Sequence, residues 1–265
     1  MNGSLALTVE RRCERTALAS VRYDGMARCS RAFTHGLAAR VVTSLLGPGY
    51  VAGDRVELHG SVGAHAHLVV ADQSATRVFG GRATSSSRSV WRVASGATLA
   101  LLREPTTLFA GSRHETQTTI DLPASARAIV VDLVTAAEPD FVSYATNLEI
   151  RCDGALVAVD RACLGAASFP ARAVGSLVVV GGIRASAVAA IEDLLDAACD
   201  VRTGLGRPLG EGLVVRVYGD DMWHVRETLY ACATLARDQS PRNALSFAFT
   251  NAASVGLAPG PLANA

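Results

Sequence analysis

The chain has 265 residues, 49 % apolar and only 18 % charged, with a formal net charge of +1. That composition supplies a sizeable core and excludes disorder as the default state, and a near-neutral balance without a basic run speaks against nucleic-acid binding. All 25 basic residues are arginine, so neither a Schiff-base lysine nor a phosphate-loop Gly-Lys-Ser/Thr exists, and nucleotide hydrolysis by that route is excluded.

Taken in chain order, residues 5 to 33 alternate in character (Leu5, Leu7, Val9; Ala17, Ala19, Val21) and predict strands with a turn at Asp24-Gly25. From residue 41 to 160 strand follows strand. Val56 to His59 and Asn147 to Cys152 alternate, Thr118 to Leu122 is short and rich in β-branched residues, and Pro, Gly, Ser and Asp separate the runs. Near residue 174 the pattern changes. Leu177 to Val180 reads as a buried strand, and Ser186 caps a predicted helix to about Cys199. A loop is expected over Gly204 to Gly212, a strand over Leu213 to Tyr218, and a second helix from Asp220 or Asp221 to about Arg237. The chain is thus expected to form one domain over 1–265: a β body to about 175, a strand–helix–strand–helix section over 176–240 and an irregular tail over 241–265.

A faint repeat organises the body. Ala64, Ala97, Ala126 and Ala155, spaced by 33, 29 and 29 residues, each follow a small-residue turn and lead into a short apolar strand. This predicts a mainly β, β-helix-like stack of layered sheets with two C-terminal helices. Six scattered cysteines without a Cys-x-x-Cys pair read as free thiols. The charged Glu10 to Arg15 stretch argues against a signal peptide, and the longest apolar run, Ala173 to Ile183, is too short and glycine-rich to span a bilayer. A cytoplasmic location and no membrane contact are therefore expected.

Two sets of residues suggest chemistry. His65 and His67, two apart in an expected strand, would face one side and could share a nickel or zinc ion, with Asp54, Glu57 and Asp72 nearby; the alternative is a pair of solvent-facing histidines. Glu104, beside Pro105 in apolar sequence, needs a partner or a polar cavity, and Asp132 and Glu138 occupy comparable places in the next repeat. These acids either line an internal polar passage or are ordinary surface acids. No Gly-x-Ser-x-Gly elbow is present, so no hydrolase triad is argued. A cupin-type metalloenzyme is the rival from another class, resting on His65-x-His67.

Three motifs, Gly47 to Asp54, Gln73 to Phe79 and Glu104 to Phe109, stand in an order and spacing that resembles the urease accessory protein UreD (UreH) family, over roughly residues 40 to 240. Gly47-Pro48-Gly49-Tyr50-Val51-Ala52-Gly53-Asp54 resembles that family's glycine turn, with Pro48 and Ala52 in place of two glycines. Gln73 to Phe79 resembles its Gln-x-Ala-Thr-Lys-x-Tyr motif, and Glu104 to Phe109, followed by Gly111-Ser112-Arg113, its Pro-Gln/Glu-x-Thr-x-x-Phe stretch. Gly96 to Leu99 and Val214 to Val217 also fit, whereas Ala137 to Asp140 and Pro241 to Ala244 depart from the family pattern. The resemblance implies a non-enzymatic scaffold in urease maturation with UreF-like, UreG-like and apo-urease partners. A homodimer within that complex is left open. It further implies no tightly bound cofactor, transient nickel, and a polar interior to which Asp54, Thr76, Glu104 and Thr106 contribute.

Overall fold

The computed structural model describes residues 1–208 and 211–237. One sheet has seven strands: β1 (Asn2–Arg12), β2 (Arg15–Gly25), β6 (Arg55–Val62), β9 (Ser85–Val93), β12 (Arg113–Leu122), β14 (Ser143–Cys152) and β15 (Ala155–Leu164), ordered β15-β14-β12-β9-β6-β1-β2. Its five central strands are parallel, and an antiparallel hairpin closes each edge. The main path of the second sheet runs β17 (Arg202–Gly206), β18 (Gly212–Gly219), β16 (Ala173–Val180), β13 (Arg127–Ala136), β10 (Thr98–Leu102), β7 (His67–Asp72), β5 (Ala38–Leu45) and β3 (Ala27–Cys29). Three short strands attach to it: β4 (Phe33–His35) pairs with β5, and β8 (Thr76–Val78) pairs with β11 (Thr106–Leu108), which also pairs with β13.

Parallel neighbours need a crossover connection. Here each crossover passes through the opposite sheet: β5, β7, β10 and β13 alternate along the chain with β6, β9, β12 and β14. The result is the expected stack of β coils. The strands of the first three repeat copies lie side by side, His67 beside Thr98 beside Arg127, so the residue level with Ala97 and Ala126 is Ala66, two residues beyond the expected Ala64. The fourth does not join them. The strand after Ala155 is β15, an antiparallel edge of the seven-stranded sheet, and β13 pairs instead with β16.

Period-two patterning decides the faces. β6 alternates exposed and buried residues, so Val56, Leu58 and Val62 enter the interior while Arg55, Glu57 and His59 face solvent. The same holds on β9 and β12, where Arg88, Arg92, Glu115 and Asp121 are exposed. The space between the sheets holds one apolar cluster, including Leu68, Leu99, Trp91, Ile120 and Ile150. A second cluster lies on the other face of the larger sheet, under helices α1 (Ala185–Ala197) and α2 (Met222–Arg237). A sheet covered on both faces needs strands apolar on both sides, which is why β16 is buried at every position.

The helices follow their apolar spacing: Val188, Ile191 and Leu195 on α1, and Val225, Leu229, Cys232 and Ala236 on α2 are buried. The Asp221 carboxylate accepts the Trp223 N–H at 2.8 Å, capping α2 as expected. Arg184 rather than Ser186 precedes the first turn of α1. Part of the loop expected over Gly204 to Gly212 is β17, five exposed residues paired only with β18. The expected tail at 241–265 lies outside the described residues. No helix among the described residues is long and apolar enough to cross a membrane.

Candidate functional site

Inward-facing residues of the seven-stranded sheet change character halfway along three adjacent strands. On β9, Ser85, Ser87 and Ser89 precede Trp91 and Val93; on β12, His114, Thr116 and Thr118 precede Ile120 and Leu122; on β14, Tyr144 and Thr146 precede Leu148 and Ile150. Because these strands are parallel and in register, their polar halves coincide: Ser87 lies beside Thr116, and Thr116 beside Thr146. Half of the interior is therefore dry core and half is a cavity of about 440 Å³.

The opposite wall is a polar row across the larger sheet. Thr43 pairs with Asp72, Asp132 with Ser176, and Ser176 with Arg216. Between them stands Arg103, one residue beyond Leu102, which pairs with both Ala71 and Val131. Three neighbouring strands thus present Asp72, Arg103 and Asp132, and all six residues of the row except Arg216 line the cavity. Arg216 makes an ion pair with buried Asp160, another lining residue.

An isolated buried carboxylate is costly, so each acid in the row has partners. Asp72 accepts from the Thr43 hydroxyl at 2.7 Å and the Glu104 N–H at 3.3 Å. Asp132 accepts from Thr146 at 3.1 Å, and Thr146 in turn from Thr116 at 2.9 Å. Arg103 donates to Ser89 at 3.4 Å, and Ser89 to Thr118 at 3.0 Å. Burial pushes both Asp72 and Asp132 above the usual carboxylate range, against the pull of the nearby Arg103 charge. His114 completes the wall. Its Nδ1 lies 2.9 Å from the Ser85 hydroxyl, and its ring neighbours those of Tyr50 and Tyr144, with centroids 4.6 and 6.3 Å away. Burial lowers its pKa to about 4.

Two sequence motifs meet at the same cavity. Gly49 has φ +137, and a Cβ there would fall 2.3 Å from the Arg77 carbonyl oxygen, which accepts the Tyr50 N–H at 2.8 Å. The glycine turn and the Gln73 to Arg77 segment thereby form one wall. Thr76 and Thr106 line the cavity as cross-strand partners on β8 and β11, and Glu104 and Asp132 line it too. Glu104 is already engaged: Arg226 of α2 donates to both its oxygens at 2.9 and 2.6 Å, and Tyr230 approaches at 3.4 Å.

The other expected site residues lie elsewhere. Asp54 is buried outside the cavity lining, where its carboxylate accepts the Val51 N–H at 2.9 Å and meets the Met1 amino group; it closes the glycine turn. Glu138 is exposed beyond the end of β13. His65 and His67 do not share a strand face: His65 is exposed in a turn at φ +56, and His67, half-buried, begins β7. Burial, with Arg11 and His65 nearby, lowers the His67 pKa. Among the described residues no three His, Cys, Asp or Glu side chains converge as a metal-binding group, so the metal set of a cupin-type enzyme is not built here. Arg103, His114 and Asp160 were missed by sequence reasoning, and Asp72 was considered only as a neighbour of the histidines. Asp72, Arg103 and Asp132 each stand six residues after Ala66, Ala97 and Ala126, an equivalence that appears only once the strand pairing replaces Ala64 by Ala66.

The chain has relatives among known sequences. The chain matches the sequence model described as UreD urease accessory protein over residues 1–246. It belongs to the UreD family. Urease accessory protein UreD of Alkalilimnicola ehrlichii is 30 % identical over 244 residues, covering 86 % of this chain and 83 % of the relative. UreD of Sorangium cellulosum is 29 % identical over 214 residues, 72 % of this chain and 66 % of the relative. UreD of an Anaeromyxobacter species is 29 % identical over 201 residues, covering 69 % of this chain and 68 % of the relative. The matched residues include both sheets and both helices.

Proposed function

We propose that this UreD-family chain is a non-catalytic scaffold in urease maturation. It assists the passage of nickel to apo-urease together with a UreF-like helical protein and a UreG-like GTPase, in the cytoplasm. The observation that carries the reading is the half-buried row Asp72–Arg103–Asp132 facing a wall of serine and threonine hydroxyls across the cavity. Hydroxyl and carboxylate oxygens are acceptable ligands for a divalent cation, and their exchange is what transit requires. Arg103 limits the net negative charge, so the acids attract a cation without trapping it. Raised carboxylate pKa values add competition between the metal and protons at the same oxygens. The Arg226–Glu104 pair removes one acid from that set and ties α2 to the cavity wall.

The test is the double variant Asp72→Asn with Asp132→Asn, expressed in place of the natural chain beside its urease. Nickel per urease, measured by mass spectrometry, is expected to fall several-fold while the accessory proteins still co-purify. Normal nickel with both substitutions would remove the cavity from the path. Normal nickel after deleting the whole chain would remove the role itself.

A further inference from the structure

His114 is the single histidine among the described residues lining the cavity, and nothing above gives it a task. Its tautomer follows from the hydrogen bonds. The Ser85 hydroxyl has one proton and lies 3.1 Å from the Arg113 carbonyl oxygen and 2.9 Å from His114 Nδ1. Both contacts are hydrogen bonds only if Ser85 donates to the carbonyl and Nδ1–H donates to Ser85. The lone pair then lies on Nε2. The ring's bonding to protein is all on the Ser85 side, which leaves Nε2 to the cavity. Because burial lowers its pKa to about 4, the imidazole is neutral at physiological pH.

We infer that His114 Nε2 is a nitrogen ligand for a borderline divalent cation crossing the cavity, and that it gives the cavity its preference for such ions over magnesium and calcium. The inference rests on the nickel-passage reading. The other candidate ligands on the cavity wall are oxygens, and oxygen alone favours magnesium and calcium, whereas imidazole suits nickel and zinc. Anchoring through the second ring nitrogen is the outer-shell arrangement that orients a metal-binding histidine. The rings of Tyr50 and Tyr144 pack near the imidazole, and the Tyr144 hydroxyl donates to Asp132 at 3.5 Å, so imidazole and carboxylate both neighbour one tyrosine. With no third ligand converging among the described residues, the ion keeps water ligands and leaves readily.

The experiment is histidine-selective NMR of the purified full chain titrated with NiCl₂ alone. Signals of His114 are expected to broaden at lower Ni²⁺ than those of the exposed His59 and His65, and equimolar Mg²⁺ should not reverse the effect. Broadening confined to the exposed histidines, or reversal by Mg²⁺, would overturn the inference. In calorimetry, Ser85→Ala should weaken Ni²⁺ binding by about tenfold, and His114→Phe, which keeps the aromatic stack, by at least as much. Unchanged affinity in both variants would also overturn it. If His114 responds to Ni²⁺ while the Asp72→Asn, Asp132→Asn chain still loads urease normally, the passage reading fails and the ligand stands. If that double variant starves urease but His114 ignores Ni²⁺, the ligand inference alone fails.

Discussion

Gly60 is buried because the Trp91 ring occupies the space where its side chain would be: a Cβ there would fall 2.1 Å from two ring atoms. Trp91 is fully buried on the neighbouring parallel strand and marks where the dry half of the interior begins. Gly60→Ala is therefore expected to cost about 1–3 kcal/mol by overpacking, read as a lower denaturation midpoint in urea. His114 gives a second test at this scale. Its pKa is lowered from 6.5 to about 4, so between those values the unfolded chain binds a proton that the folded one does not. Its contribution is complete above pH 6.5 and is lost as pH falls toward 4, by about 3 kcal/mol in total. Asp72 and Asp132, both raised, act with the opposite sign; the Arg103 charge lines the same cavity, and the rings of Tyr50 and Tyr144 pack near the imidazole. The difference between natural chain and His114→Phe in metal-free buffer isolates the term: stability of the natural chain relative to the variant should fall with acidification over that window. A flat difference would mean that the imidazole is hydrated. Glu104 and Asp132 line the cavity, whereas His114 was not legible in the sequence, because a lone histidine among threonines has no pattern until its neighbour Ser85, 29 residues earlier, is brought beside it.

At the scale of elements, α2 is fastened by more than its apolar stripe. Arg226 grips Glu104 through two hydrogen bonds and lies over the Tyr230 ring at 4.5 Å, and Tyr230 donates to the Arg103 carbonyl at 3.1 Å. With side chains 16 % and 20 % exposed, the pair is largely shielded from solvent. A double-mutant cycle of Arg226→Met and Glu104→Gln should report a coupling of about 1.5–3 kcal/mol, with faster hydrogen exchange in α2 in each single variant. Coupling near zero would mean that the helix is held by packing alone. The two helices were legible because their apolar residues recur at helical spacing and Asp221 stands at an N-cap. β17 was not: Arg202, Thr203, Gly204, Leu205 and Gly206 have no apolar alternation, and the strand exists only because β18 offers an edge. The fourth repeat copy failed for a related reason. Its turn and strand are real, but which sheet a strand joins depends on the pairing partners left free, and β16 had taken the place beside β13.

For the whole molecule, the coil explains both the shape and the site. A chain that alternates between two sheets puts equivalent residues of successive turns side by side, so one polar position per repeat becomes a row and one hydroxyl per strand becomes a wall. Filling that cavity should block function without disturbing the fold: Thr116→Leu is expected to leave the melting temperature near that of the natural chain but lower nickel per urease in cells. Full loading with the larger side chain would show that the ion travels elsewhere. The sequence by itself determined the strand-rich coil, the two late helices and the family. These depend on local periodicity and short motifs, which need only near neighbours along the chain. The tertiary structure alone decided that Asp54 closes a turn, that Glu138 and His65 face solvent, that Glu104 is taken by Arg226, and that Asp72, Arg103, Asp132 and His114 face one space. On the cavity wall, hydrogen-bond and charge partners stand from 14 to 122 positions apart, and the stacking of the coils and the docking of α2 bring them together.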